Sequence, residues 1–186
     1  MHRPDGRHVP LAAATLAAWL VFLVLDFLAH AVVLAAWWRA TESYWLPPME
    51  LFRRIPFGYG AFALLVGTMT WLLVRLRGPQ PIVRDALRFG ALAGLLAGAG
   101  SVMGAYSILP MPASTLVVWT VSTVVESAGA ATAAAWTLRA PRPWRRVLLV
   151  FALTIALFVI GVVLQNVVFP TPANRLAWCA DGLIRA

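Results

Sequence analysis

Asp26, His30 and Glu126 are the residues of this chain best placed to do chemistry, because each is ionisable and each stands inside a long apolar stretch. Asp26 and His30 are spaced i, i+4, which puts both on one face of a helix. Ser122 precedes Glu126 by one turn and Ala130 follows it by one, while Gly129, Ala131 and Ala133 to Ala135 keep that stretch narrow. Another helix can therefore approach it closely. Brought together, an imidazole and two carboxylates would pass protons among themselves or couple a proton to a solute. The same groups would also serve as a hydrogen-bonded lock between helices, and residue types alone do not separate a relay from a lock.

Other chemistry is thinly supported. Asp26, His30 and Glu126 could also bind a divalent metal through imidazole nitrogen and carboxylate oxygen, although one histidine and two acids carry no recurrent metal-binding motif. A haem or pigment on His30 would be five-coordinate, since the other histidines, His2 and His8, lie in the N-terminal tail. No cofactor is assigned, and a metal, haem or pigment at His30 stays an open alternative without motif support. The chain holds no Gly-x-Ser-x-Gly elbow, no His-Glu-x-x-His helix and no dinucleotide fingerprint, so no catalytic residue is assigned. The single cysteine, Cys179, has no histidine near it in sequence and permits no intrachain disulfide. Gln165 and Asn166 stand late in the last apolar stretch, as lining of an outer vestibule or as hydrogen-bonding partners of another helix. Gly90-x3-Gly94-x3-Gly98 reads as a helix-packing ridge. It is not a phosphate loop, because no Gly-Lys-Ser/Thr follows it and no strand precedes it.

The elements that must position these residues follow from composition. Of 186 residues, 61% are hydrophobic and 12% charged, with a mean hydropathy of +0.81. A soluble domain carries about a quarter charged residues, so an ordinary soluble fold is excluded. All 15 basic residues are Arg, and the net charge is +8. They fall in short stretches against membrane-length apolar runs, which is a topology signal rather than a nucleic-acid footprint. No nucleic-acid partner is expected.

Five stretches are long enough to cross about 30 Å of hydrocarbon as helices. They lie near residues 11–38, 57–74, 86–109, 113–138 and 147–169. Prolines punctuate them: Pro48, Pro79, Pro110, Pro141 and Pro170 follow one another at steps of 31, 31, 31 and 29 residues. One crossing plus one turn accounts for that rhythm, and no side-chain repeat accompanies it. Counting Arg on alternate sides gives ten against five, the ten being Arg3, Arg7, Arg75, Arg77, Arg84, Arg88, Arg139, Arg142, Arg145 and Arg146. The positive-inside rule then puts the N-terminus in the cytoplasm and the C-terminus outside.

The first stretch, with Arg3 and Arg7 ahead of it, has an apolar run too long for a usual signal peptide. As one helix it would measure about 42 Å, so it must tilt, bend or emerge into the headgroups. Trp37, Trp38 and Trp45 mark its outer end. Trp71, Trp136 and Trp144 fall at inner boundaries, and Trp119 and Trp178 toward outer ones, as an interfacial belt requires. A short amphipathic helix from about Met49 is expected on the outer surface. Leu176, Trp178, Leu183 and Ile184 of the tail fit the same description.

The run from Asp26-x3-His30 through Trp45-x-Pro47-x-Met49 to Ala105-Tyr106-x3-Pro110-x-Pro112-x6-Trp119 and Val125-Glu126-x2-Gly129 resembles small bacterial polytopic membrane proteins of uncharacterised function. The resemblance covers about Leu16 to Trp136. It implies a shared membrane bundle in the bacterial inner membrane and a shared polar site at Asp26, His30 and Glu126, and it supplies no substrate.

The expected architecture is one all-α bundle of five transmembrane helices, since the connections are short and no polar stretch can bury a core of its own. Its partners are membrane lipids together with further copies of the chain or other membrane-protein subunits. The expected function is that of a non-enzymatic accessory or scaffold subunit of a membrane complex. The alternative is a small proton-coupled carrier or permeation protein using Asp26, His30 and Glu126.

Overall fold

Hydrocarbon offers a backbone no water to bond, so each crossing must satisfy its own amides as a helix. A computed structural model describes residues 10–44 and 46–168, and among them there is no strand. Helix α1 (Leu11–Phe27) runs into a π-helical turn (Leu28–Val33), followed after a bend at Leu34 by α2 (Ala35–Ala40) and a short 3-10 turn (Glu42–Tyr44). Then come α3 (Pro48–Arg77), α4 (Val83–Tyr106), α5 (Ser114–Leu138) and α6 (Pro143–Val168). Five helical segments are long and apolar enough to cross a membrane: Leu11–Val33, Met49–Arg77, Val83–Tyr106, Ser114–Leu138 and Pro143–Val167. The chain is an all-α, multi-pass membrane protein.

Neighbouring side chains give the direction of each span. Leu25 touches Gly129, His30 faces Glu126 and Trp38 meets Trp119, so α1 and α5 are antiparallel. Thr15 lies against Gly67 and Phe22 against Phe62, which makes α3 antiparallel to α1. Phe27 packs on Phe158, and Ala13 and Ala17 cluster with Val147 and Val150, so α6 runs parallel to α1. Helices α1 and α5 form the centre of the bundle, with α4 packed along α5 and α6 along α1.

The core sits where small residues let these backbones close up. Ala14 and Ala18 of α1 and Ala130, Ala131, Ala134 and Ala135 of α5 are fully buried, together with Phe22, Val66, Leu73 and Leu138. Between α4 and α5 the approach is closer still. A methyl group on Gly90 would run into the Ser127 carbonyl and Ala131, and one on Gly94 would stand 2.5 Å from the Thr123 carbonyl oxygen. Only glycine admits that contact without displacing backbone.

Two boundaries differ most from the sequence expectation. The first span, expected over 11–38, stops at Val33. Leu34 leaves helical geometry at φ −99° and ψ 9°, and α2 then brings Trp38 against Trp119 of α5. The surface helix expected from about Met49 is instead the opening of α3, which continues through Pro56 to Arg77. Pro48 at the first helical position suits its fixed φ, and the helix continues through Pro56 at the cost of one backbone bond. The helix ends at Gly78, whose φ of +84° is a conformation that favours glycine, with Pro79 and Pro81 beyond it. Arg3, Arg7, Trp45, Cys179 and the tail residues Leu176, Trp178, Leu183 and Ile184 lie outside the described residues.

Candidate functional site

Asp26 occupies the last turn of α1 and His30 the π-helical turn that follows, while Glu126 projects from the middle of α5. A π turn holds one residue more than an α turn, is rare, and is frequently found at functional sites. Here the amide of Leu34 reaches the carbonyl of Ala29, five residues back, at 2.8 Å. That local widening surrounds His30.

The imidazole Nδ1 lies 3.0 Å from the Asp26 backbone carbonyl oxygen, 3.1 Å from Asp26 Oδ1 and 3.9 Å from Glu126 Oε1. All three neighbours are oxygens that accept, so Nδ1 carries the hydrogen and donates toward Asp26. The structure thus joins residues of the first and fourth spans in one cluster. Glu126 is 3% exposed, against 23% and 25% for the side chains of His30 and Asp26. One ligand atom from each of the three residues falls within 4.8 Å of the other two.

Glu126 is incompletely partnered. Its Oε1 is buried and has no hydrogen-bond partner. Nearby hydroxyls on α5 are engaged elsewhere: Ser122 donates to the Val118 carbonyl at 3.0 Å and Thr123 to the Trp119 carbonyl at 2.9 Å. A buried carboxylate oxygen left without a donor carries a desolvation penalty of roughly 1–3 kcal/mol or more.

Aromatic residues wall one side. The ring of Trp38 lies 5.1 Å from that of His30 and packs edge-on against Trp37 at 4.8 Å and Trp119 at 6.0 Å. Trp38 was not a sequence candidate for the site. Its i+8 spacing from His30 was a weak signal, since a straight helix would hold it two turns away, about 12 Å along the axis. The bend at Leu34 brings it back. An open-sided apolar groove of about 490 Å³ runs between α5 and the end of the first span with its π turn, lined by Leu25, Leu28, Ala29, Val121, Ser122 and Val125 among others. Ala29 and Val125 are the chain neighbours of His30 and Glu126, so the groove borders the cluster.

The other sequence candidates lie elsewhere. Gly90, Gly94 and Gly98 form the α4 face against α5. Gln165 is half-buried and Asn166 exposed, the latter donating from Nδ2 to the Val162 carbonyl of its own helix at 2.8 Å. Its amide is engaged there rather than at the cluster. Among the described residues, Asp26, His30 and Glu126 are the one set of histidine and acidic groups close enough to share an ion.

No protein-family profile matches the chain, and no curated protein or solved structure matches it either.

Proposed function

We propose that this chain is a small, non-enzymatic, proton-coupled carrier or permeation protein of the bacterial inner membrane, with its N-terminus in the cytoplasm, and that Asp26, His30 and Glu126 are its coupling site. The observation that carries this reading is the Glu126 carboxylate, buried at 3% exposure with an unpartnered oxygen 3.9 Å from the His30 imidazole. Ionisable groups inside a membrane are expensive and are found facing protein or water, where they pair with one another and mark ion paths and proton relays. Here the pairing is incomplete on one side, and that leaves room for an exchangeable partner. The half-burial of Asp26 and His30 supports access to the site.

The test is proton flux. The purified chain is reconstituted into liposomes holding a pH-sensitive dye, and the internal pH is followed after an external acid step. Wild-type protein is expected to collapse the gradient, and Glu126→Gln and Asp26→Asn to abolish that flux while eluting as the same monodisperse species. Equal flux from wild type and both variants, or none from any, sinks the reading.

A second reading, an accessory or scaffold subunit, is favoured by a different surface. Gly100 and Gly104, one turn apart on α4, have open space where a side chain would stand. A small-residue face of that kind suits a helix of a second copy or of another membrane protein. If Gly100→Leu disperses a purified complex while Glu126→Gln leaves cellular function intact, the accessory role is the better account.

A further inference from the structure

We infer that Asp26, His30 and Glu126 together bind one divalent first-row transition-metal ion. The inference rests on the reading of this cluster as the cation site of a carrier, and it names the class of cation. Four observations converge on it.

The donor set comes first. One imidazole nitrogen with two carboxylate oxygens suits Mn²⁺, Fe²⁺, Co²⁺ and Zn²⁺, whereas Ca²⁺ and Mg²⁺ favour oxygen-only shells and Cu⁺ favours thiolate or thioether. Distances agree. The ligand atoms stand 3.1 and 3.9 Å apart at the two ion pairs and all lie within 4.8 Å. Ligands about 2.1 Å from a metal are separated by roughly 3.0–4.2 Å, so small side-chain rotations close the set.

Charge is the third argument. Two carboxylates and a neutral imidazole carry −2, and a divalent ion cancels it. A neutral assembly is the form least penalised in a low-dielectric surround. The ring needs no net protonation change to join: the hydrogen on Nδ1 moves to Nε2, and Nδ1 presents its lone pair in place of its hydrogen bond to Asp26. Fourth, Glu126 is 3% exposed, and its buried Oε1 faces His30 with no donor. It is a ligand atom held ready. Three protein ligands leave at least one coordination position open, which is the property of an exchangeable rather than a closed structural site.

The experiment uses tag-free full-length protein in nanodiscs, with Co²⁺ as an optical probe and Mn²⁺ as a paramagnetic one. Wild type is expected to take up about one Co²⁺ per chain, with a visible d–d band and no thiolate charge-transfer band. Changes to groups that merely orient a metal ligand already weaken binding about 10–100-fold. Loss of the ligands themselves in His30→Gln or Glu126→Gln is therefore expected to weaken it by more than about 100-fold. A chain with His2 and His8 both changed to Ala is expected to bind as wild type does. Absence of Co²⁺ and Mn²⁺ binding by wild type overturns the inference directly, without reliance on any variant's folding. Binding that survives His30→Gln and Glu126→Gln together overturns it as well. If proton flux is present without metal binding, the metal inference alone fails. If metal binds but neither protons nor Co²⁺ cross the vesicle membrane, the site stands and the carrier reading fails.

Discussion

Glu126 Oε1 and His30 Nδ1 face each other at 3.9 Å across the interface of the fourth and first spans, and Glu126 Oε1 has no hydrogen-bond partner of its own. That relation makes Glu126 a stability liability. Glu126→Gln removes a carboxylate that lacks a donor and lies close to a second acid, so the variant should melt at the wild-type temperature or a few degrees above it. The same substitution should abolish proton flux. A loss of more than about 2 kcal/mol in thermal or denaturant unfolding would instead mark Glu126 as a fastener whose removal breaks a buried pair.

The π turn at Leu28–Val33 holds one residue more than regular helix needs. Deleting Val32 should relax it to α-helix while leaving the flanking faces of α1 and α2 in register. Thermal stability is expected to hold or rise, while flux and Co²⁺ binding fall by at least tenfold as His30 shifts against Glu126. Retained binding and flux in the deletion would show that the widened turn has no part in the site.

Glycine-to-alanine substitutions along α4 should form a graded series. Gly90→Ala and Gly94→Ala press into α5 backbone and should each destabilise by about 1–3 kcal/mol. Gly98→Ala meets Thr123 Cβ at 3.0 Å and should lose less. Gly100→Ala and Gly104→Ala meet nothing within 4 Å and should fold as wild type does, which thermal melts of the five variants in one detergent would check.

Phe22 is 1% exposed in the core and packs on Phe62 with ring centroids 4.8 Å apart. Phe22→Ala leaves a cavity at the meeting of α1, α3 and α5 and should destabilise by about 3–5 kcal/mol. Phe22→Leu should recover more than half of that. An equal loss in both variants would mean that the ring pair, rather than filled volume, holds the helices.

Arg146 lies 3.7 Å from the ring centroid of Trp136, joining the start of α6 to the end of α5. Arg146→Gln should lower stability by about 0.5–1 kcal/mol, the range for an accessible cation–π contact, and Trp136→Leu should lose the same increment in a double-mutant cycle.

Much of the fold was legible because hydrophobic length is a one-dimensional property. Any run long enough to cross hydrocarbon must become a helix, and Pro79 with Gly78 must end one. The same rule misplaced the start of the second span at residue 57. Pro56 reads as a break in sequence, and only the continuing helix on both sides shows that a single lost backbone bond was tolerated. The glycine pattern at Gly90, Gly94 and Gly98 announced a close helix contact, but it could not name α5 as the neighbour.

What the sequence by itself determined is the class and the membership of the polar set. Five apolar runs require an all-helical membrane bundle, and three ionisable residues stranded within those runs require partners. Asp26 and His30 were joined by helical periodicity alone. The meeting of His30 with Glu126 was decided by tertiary structure, because it depends on which helix faces α1 and at what axial offset. That choice is made by alanine and glycine surfaces that many helix pairs could share. The π turn and the fold-back of Trp38 onto His30 were decided there as well, since no local residue preference encodes an extra residue per turn and the turn is packed against α6.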